Sequence, residues 1–161
     1  MGGKAVVVLG DLTNASEVEA IGAEIERLLG GVDILVNNAG GSFPKRAWHE
    51  TPIAEWAETF DRNVLAAVRM ATRVLPAMHA GGWGRIVHIS SISGHMPPAT
   101  GPDYSASKAA MRTMTAALAR SVADAGITVN SVSPGTIFTP KLEGAFRAIT
   151  AARGLTDCEA P

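Results

Sequence analysis

The chain has 161 residues, 47% hydrophobic and 18% charged, with 14 basic against 15 acidic side chains and a formal net charge of -1. With no run of one sign it presents nothing electrostatic to nucleic acid or to an anionic membrane, and a small-molecule partner is expected. The length suits one domain around one core, the single cysteine, Cys158, excludes an intrachain disulfide and a cysteine-rich metal site, and no apolar run reaches the roughly 18 residues of a membrane span.

In chain order, residues 5–9 read AVVVL, a continuous β-branched run that fits a strand buried on both faces. Gly10 and Asp11 end it. A helix follows, with Ser16 as N-cap and Glu19 completing a capping box; Val18, Ile21, Ile25, Leu28 and Leu29 recur at helical spacing until Gly30 and Gly31. Residues 32–36 form a second buried strand, so that 5–36 makes a parallel βαβ unit with a right-handed crossover. Pro52 opens a long helix over 53–79, which Gly81, Gly82 and Gly84 stop before a third strand at 85–90. Residues 104–125 are helical up to Gly126, and 127–132 are a fourth strand that closes at Pro134 and Gly135. A short helix over 142–152 and a loose tail over about 153–161 complete a single domain with no internal repeat. The alternation predicts an α/β fold, a Rossmann-like, doubly wound parallel sheet of about four strands with flanking helices.

The chemistry concentrates in residues 90–108, SSISGHMPPATGPDYSASK. Tyr104 and Lys108 are four residues apart, a rise of about 6 Å, so both side chains share one helix face. An ammonium beside a phenol favours the phenolate and prepares it for acid/base work near neutral pH. Ser91 falls where a parallel strand ends, the usual place for ligand contacts in an open sheet, and its hydroxyl is placed to hold a substrate oxygen. A Tyr and a Lys one turn apart are by themselves an ordinary surface pair; the added serine gives them a chemical meaning. His49, His79, His88 and His95 are scattered without the pairing a metal needs, so no metal is expected. Met70, Met78, Met111 and Met114 read as core or interface filler.

These residues resemble the classical branch of the short-chain dehydrogenase/reductase family. Ser91 with Tyr104-xxx-Lys108 matches its reacting group, Asn37-Asn38-Ala39-Gly40 its NNAG motif, and Asn63 its active-site asparagine. Pro134-Gly135 with Thr139 matches its PG motif and the threonine after it, and Asp11, in Gly10-Asp11-Leu12-Thr13, matches the aspartate at the adenine ring. The resemblance spans about residues 5–140 and implies hydride transfer between NAD or NADP and a carbonyl or secondary alcohol, for example of the 3-oxoacyl reductase kind. It assigns proton transfer to Tyr104, the substrate oxygen to Ser91, the tyrosine's acidity and the nicotinamide ribose to Lys108, and a relay water to Asn63. Cofactor contacts are implied for Asp11, Leu12, Asn38, Ala39, Gly40, Tyr104, Lys108, Pro134, Gly135, Ile137 and Thr139. Asn37, Asn38 and Asp11 each also have a plain structural reading as turn formers.

The chain departs from the family in two respects, and in the first the glycine-rich TGxxxGxG turn that brings backbone to a pyrophosphate is not in the 161 residues. The segment after Pro134-Gly135 is short as well, so the expectation is a single incomplete NAD(P)-binding domain over 1–161 with weak or no activity alone. Residues 5–9 are then expected either to pair directly with 32–36 or to stand apart and leave a gap. The family's use of the 53–79 and 104–125 helices as a subunit interface implies a homo-dimer or homo-tetramer, in the cytoplasm. The rival reading is a noncatalytic module that only dimerises through those helices; an epimerase of the family's extended branch shares YxxxK, but the NNAG and SPG motifs speak against it.

Overall fold

The computed structural model describes residues 3–137, 143–144, 147–148, 150–151 and 154. Helix α1 (Ala15–Leu29) is capped by Asn14, whose side chain accepts from the Ser16 and Glu17 amides, and ends at Gly30 in the left-handed conformation, φ 85°. The expected cap, Ser16, instead lies inside the first turn. Its hydroxyl donates to Asn14 Oδ1, because an asparagine two residues earlier already satisfies the orphan amides. Strand β1 (Ile34–Asn37) follows, then α2 (Ile53–Phe60), a π turn (Asp61–Leu65) and α3 (Ala66–Gly81). The long helix expected over 53–79 is therefore one rod interrupted by a wide turn centred on Asn63. Strand β2 (Gly84–Ile89), α4 (Pro102–Ser121) and β3 (Ile127–Val132) complete the order, with 3-10 turns at Trp48–Glu50, Ile92–Gly94 and Ala123–Ala125.

The sheet runs β1-β2-β3, parallel throughout, with Val36 opposite Val87 and Ile86 opposite Val129. It is a Rossmann-like α/β sheet, as expected, with three strands among the described residues rather than about four. Residues 5–9 are the difference: they pair with no strand, and Val7 and Leu9 are 84% and 88% exposed. An apolar run becomes a strand only when a neighbour takes its backbone hydrogen bonds, and no described strand lies beside this one. The alternative in which the run stands apart is the one observed, and the βαβ unit expected over 5–36 is not formed.

Strand alternation divides the sheet. Leu35, Ile86, Ile127 and Val129 point to the helices and join Val18 of α1 with Met70, Val74 and Met78 of α3 in one buried cluster. Each such aliphatic side chain, fully buried, stabilises the fold by about 1.5–3 kcal/mol. The opposite face shows Ile34, Val36 and Val132 at 59%, 54% and 49% exposure. Of the helix expected over 142–152, residues 143–144, 147–148 and 150–151 are helical; the remainder, and the tail expected from 153 apart from residue 154, lie outside the described residues. No described helix is long and apolar enough to cross a membrane.

Candidate active site

Because the strands are parallel, the segments leaving their carboxyl ends gather at one end of the sheet: Asn38–Gly41 after β1, Ser90 and Ser91 after β2, and residues 134–137 after β3. Helix α4 brings Tyr104 and Lys108 to the same end. Proline at the first turn and Gly101 as N-cap start it just upstream of Tyr104. Lys108 is only 4% exposed; its Nζ donates to the Ile89 carbonyl at 2.8 Å and lies 5.7 Å from the Tyr104 ring centroid. It joins none of the ion pairs among the described residues. Burial therefore holds its ammonium below the ordinary lysine range, and the nearest ring is that of the phenol it is expected to serve.

Asn63 is fully buried in the π turn. Its Oδ1 accepts from the Gly41 amide at 2.8 Å, and its Nδ2 donates to the Gly41 carbonyl at 3.0 Å and to Ser107 Oγ at 2.9 Å. The NNAG strand end is thereby clamped onto the helix pair. Gly40 explains why this motif ends in glycine: a Cβ there would come within 2.6 Å of Oδ1 of the buried Asn63, a collision that would push the asparagine off Gly41.

Ser91 caps the Ile92–Gly94 turn, its Oγ accepting from the Ser93 amide at 3.2 Å. That bond uses a lone pair and leaves the hydroxyl hydrogen for another partner. Three residues that sequence reasoning passed over hold this turn against α4. Ser90 Oγ donates to the Lys108 carbonyl at 2.8 Å, Arg112 donates to the Gly94 carbonyl at 3.1 Å, and a Cβ on Gly94 would stand 2.8 Å from the Lys108 carbonyl carbon. The glycine in SISG was the available signal. Pro134 adjoins the same turn, its carbonyl accepting from the Ile92 amide at 2.9 Å.

The structure thus brings Gly40, Asn63, Ser91, Tyr104, Lys108 and Pro134 into one connected group. Asn38, Ala39, Gly135 and Ile137 lie exposed at the same end of the sheet, and Thr139 is outside the described residues. Asp11 and Leu12 stand at the head of α1. Asp11 Oδ1 accepts from the amide and hydroxyl of Thr13, which hold its carboxyl below the ordinary range, and Arg69 of α3 donates to the Leu12 carbonyl at 3.3 Å. Asn37 has a structural partner: its side chain meets Nδ1 of the fully buried His88 at 3.1 Å. Among the described residues no group of three or more His, Cys, Asp or Glu gathers as a metal site would require.

A parallel α/β sheet that gathers a Tyr–Lys pair, a serine and a buried asparagine at its carboxyl end is a Rossmann-type arrangement, with polar side chains where such sheets bind ligands. A family model described as short chain dehydrogenase matches residues 1–149, and the chain belongs to that family. It is 33% identical over 147 residues to D-beta-hydroxybutyrate dehydrogenase of Rhizobium meliloti, covering 91% of this chain and 57% of the relative. It is 38% identical over 132 residues to the 3-oxoacyl-[acyl-carrier-protein] reductase FabG of Vibrio cholerae, covering 80% of this chain and 52% of that one. A solved short-chain dehydrogenase from Streptomyces avermitilis superposes with a TM-score of 0.76 at 36% identity, over 81% of this chain and 48% of its own. The chain spans about half the length of the curated relatives it matches.

Proposed function

We infer that the protein is an NAD(P)-dependent oxidoreductase that moves hydride between a nicotinamide and a carbonyl or secondary alcohol carbon. The observation that carries this reading is the buried Lys108 ammonium, without an acidic partner among the described residues, lying 5.7 Å from the Tyr104 ring. The residues present fit the nicotinamide ribose of such a cofactor, since the Lys108 ammonium spends one hydrogen on the Ile89 carbonyl and one on the Met111 thioether and keeps a third for a hydroxyl. A pyrophosphate cradle of the TGxxxGxG kind is not in the sequence, and NAD is not separated from NADP by anything in the site.

When bound, the nicotinamide supplies or accepts the hydride. In the direction of reduction, Tyr104 Oη gives its proton to the substrate oxygen as alkoxide character develops, and Ser91 donates its remaining hydrogen to the same oxygen. Lys108 stabilises the tyrosinate left behind and would hold a ribose hydroxyl of the cofactor. Asn63 spends both side-chain amide hydrogens on Gly41 and Ser107, and the second lone pair of its Oδ1 is the acceptor it keeps for a relay water. The two relatives named above carry names with a β-hydroxy or a 3-oxo group, so a 3-oxoacyl compound is the first substrate to try.

The test is Tyr104→Phe, which keeps the ring and removes the proton. Turnover of a 3-oxoacyl thioester with NADPH or NADH should fall by about 100-fold or more; turnover kept within a few-fold would overturn the reading. A groove of about 380 Å³ between α3 and α4, lined by Val68, Ala71, Leu75, Met114 and Leu118, supports a homo-dimer or homo-tetramer and equally supports the noncatalytic, dimerising module. Cofactor titration separates these two, since saturable quenching of tryptophan fluorescence by NADPH or NADH belongs to the enzyme alone. A cytoplasmic location belongs to the same proposal and rests on the family alone.

A further inference from the structure

Two buried hydrogen bonds cross between the rod containing Asn63 and the helix containing Tyr104. Thr59 Oγ1 donates to Asp103 Oδ2 at 2.6 Å, and, four residues further along each helix, Asn63 Nδ2 donates to Ser107 Oγ at 2.9 Å. Thr59, Asn63, Asp103 and Ser107 are 1%, 0%, 4% and 0% exposed. On α4 each of these residues directly precedes a member of the reacting pair, Asp103 before Tyr104 and Ser107 before Lys108.

We propose that Thr59, Asp103 and Ser107 are positioning residues, forming with Asn63 a two-rung polar ladder that holds the helix of Tyr104 and Lys108 in register with the turn of Asn63. The proposal rests on the reading of Tyr104 and Lys108 as the proton-handling pair. An apolar pair of similar shape would stabilise two packed helices at least as well as a buried polar one. What the polar pairs add is discrimination. If α4 slid by one turn in one direction, Thr59 would face Ser107, and the Asp103 carboxylate would lose its threonine donor and come level with the Glu55 carboxylate, a like charge already paired with Arg46. If it slid in the other, Asn63 would face Asp103 and lose its serine. Only the observed register satisfies all four groups. Asp103 also lies in the first turn of α4, where the exposed amides favour a carboxylate. The second rung passes directly to the site, because Ser107 Oγ donates its own hydrogen to the Tyr104 carbonyl at 2.7 Å. The backbone of Tyr104 is therefore one hydroxyl away from the side chain of Asn63.

The chain contains one tyrosine, so a 13C label at tyrosine Cζ reports Tyr104 alone, whether or not the polypeptide turns over. The full chain is compared with Thr59→Val, Thr59→Ser and Ser107→Ala, with urea unfolding measured for each. Thr59→Val and Ser107→Ala should each move the pH midpoint of the tyrosine signal by about half a unit or more from the parent. Where the parent turns over, they should lower kcat by about three- to tenfold with KM within about twofold. Thr59→Ser, which returns the donor, should restore both. Variants that unfold more easily while the tyrosine signal and kcat stay at parent values would show the ladder to be structural only. If Thr59→Val does not fold, Ser107→Ala decides, since it removes a rung without leaving a buried charge. If Tyr104→Phe keeps its turnover, the functional reading fails, and the tyrosine titration still judges the ladder.

Discussion

Lys108 is costly to the fold, and the proposed mechanism makes it necessary to the chemistry. Its ammonium is buried with one carbonyl and a thioether as its hydrogen-bond partners, so replacing it with an uncharged residue of the same length removes a desolvation penalty. Lys108→Met should leave unfolding stability within about 1 kcal/mol of the parent or raise it, while turnover disappears; a marked loss of stability in urea would contradict this account. His88 offers a test in pH. Burial holds its imidazole below the ordinary value of 6.5, and its Nε2 has no hydrogen-bond partner among the described residues. Above pH 6.5 the native and unfolded chains are both neutral there. As pH falls below that value the unfolded chain takes up a proton that native His88 refuses, so stability declines until native His88 is itself protonated. Urea midpoints at pH 7.5 and 5.5 should therefore differ more for the parent than for His88→Asn, and equal differences would remove His88 from the explanation. The Tyr104–Lys108 pair was legible in sequence because a spacing of four encodes a shared helix face. The Thr59–Asp103 bond was not, because its partners are 44 residues apart and neither type is unusual where it stands.

At the scale of elements, the Ile92–Gly94 turn carries Ser91 and rests on the backbone of α4. A Cβ on Gly94 would meet main-chain atoms of Lys108 and Ala109 at 2.8–2.9 Å, and backbone cannot swing aside as a flexible side chain can. Gly94→Ala should cost about 1–3 kcal/mol by overpacking and displace Ser91. Calorimetry checks the first effect, and a rise in KM for the carbonyl substrate checks the second. Strand β3 is found at the predicted residues 127–132, since glycine and proline punctuate both of its ends. The π turn escaped sequence reading because the apolar spacing of residues 53–79 is that of a continuous helix; the extra residue is accommodated through Asn63's bonds to Gly41 and Ser107, which only the fold reveals. Residues 5–9 failed as a strand for a related reason: composition shows that a segment can pair, and its partner decides whether it does.

For the molecule as a whole, the sheet is asymmetric among the described residues. Helices cover one face, while the other shows Ile34, Val36 and Val132, and β1 has an unpaired edge. Such an edge is a template for another chain. By light scattering the apparent molar mass of the 161-residue polypeptide should rise with concentration, and Val36→Lys, which places a charge on that open face, should lessen the rise without lowering the unfolding midpoint. An apparent mass that stays constant as the parent is concentrated would contradict this. The asymmetry also shapes which substitutions the chain can accumulate. Along each strand, neighbouring positions answer to different pressures: one set to packing against the helices, the alternate set to whatever solvent or surface lies opposite. A saturation screen of β1, β2 and β3 would therefore return a striped tolerance map with a period of two, intolerant at Leu35, Ile86 and Val129 and permissive at Ile34, Val36 and Val132.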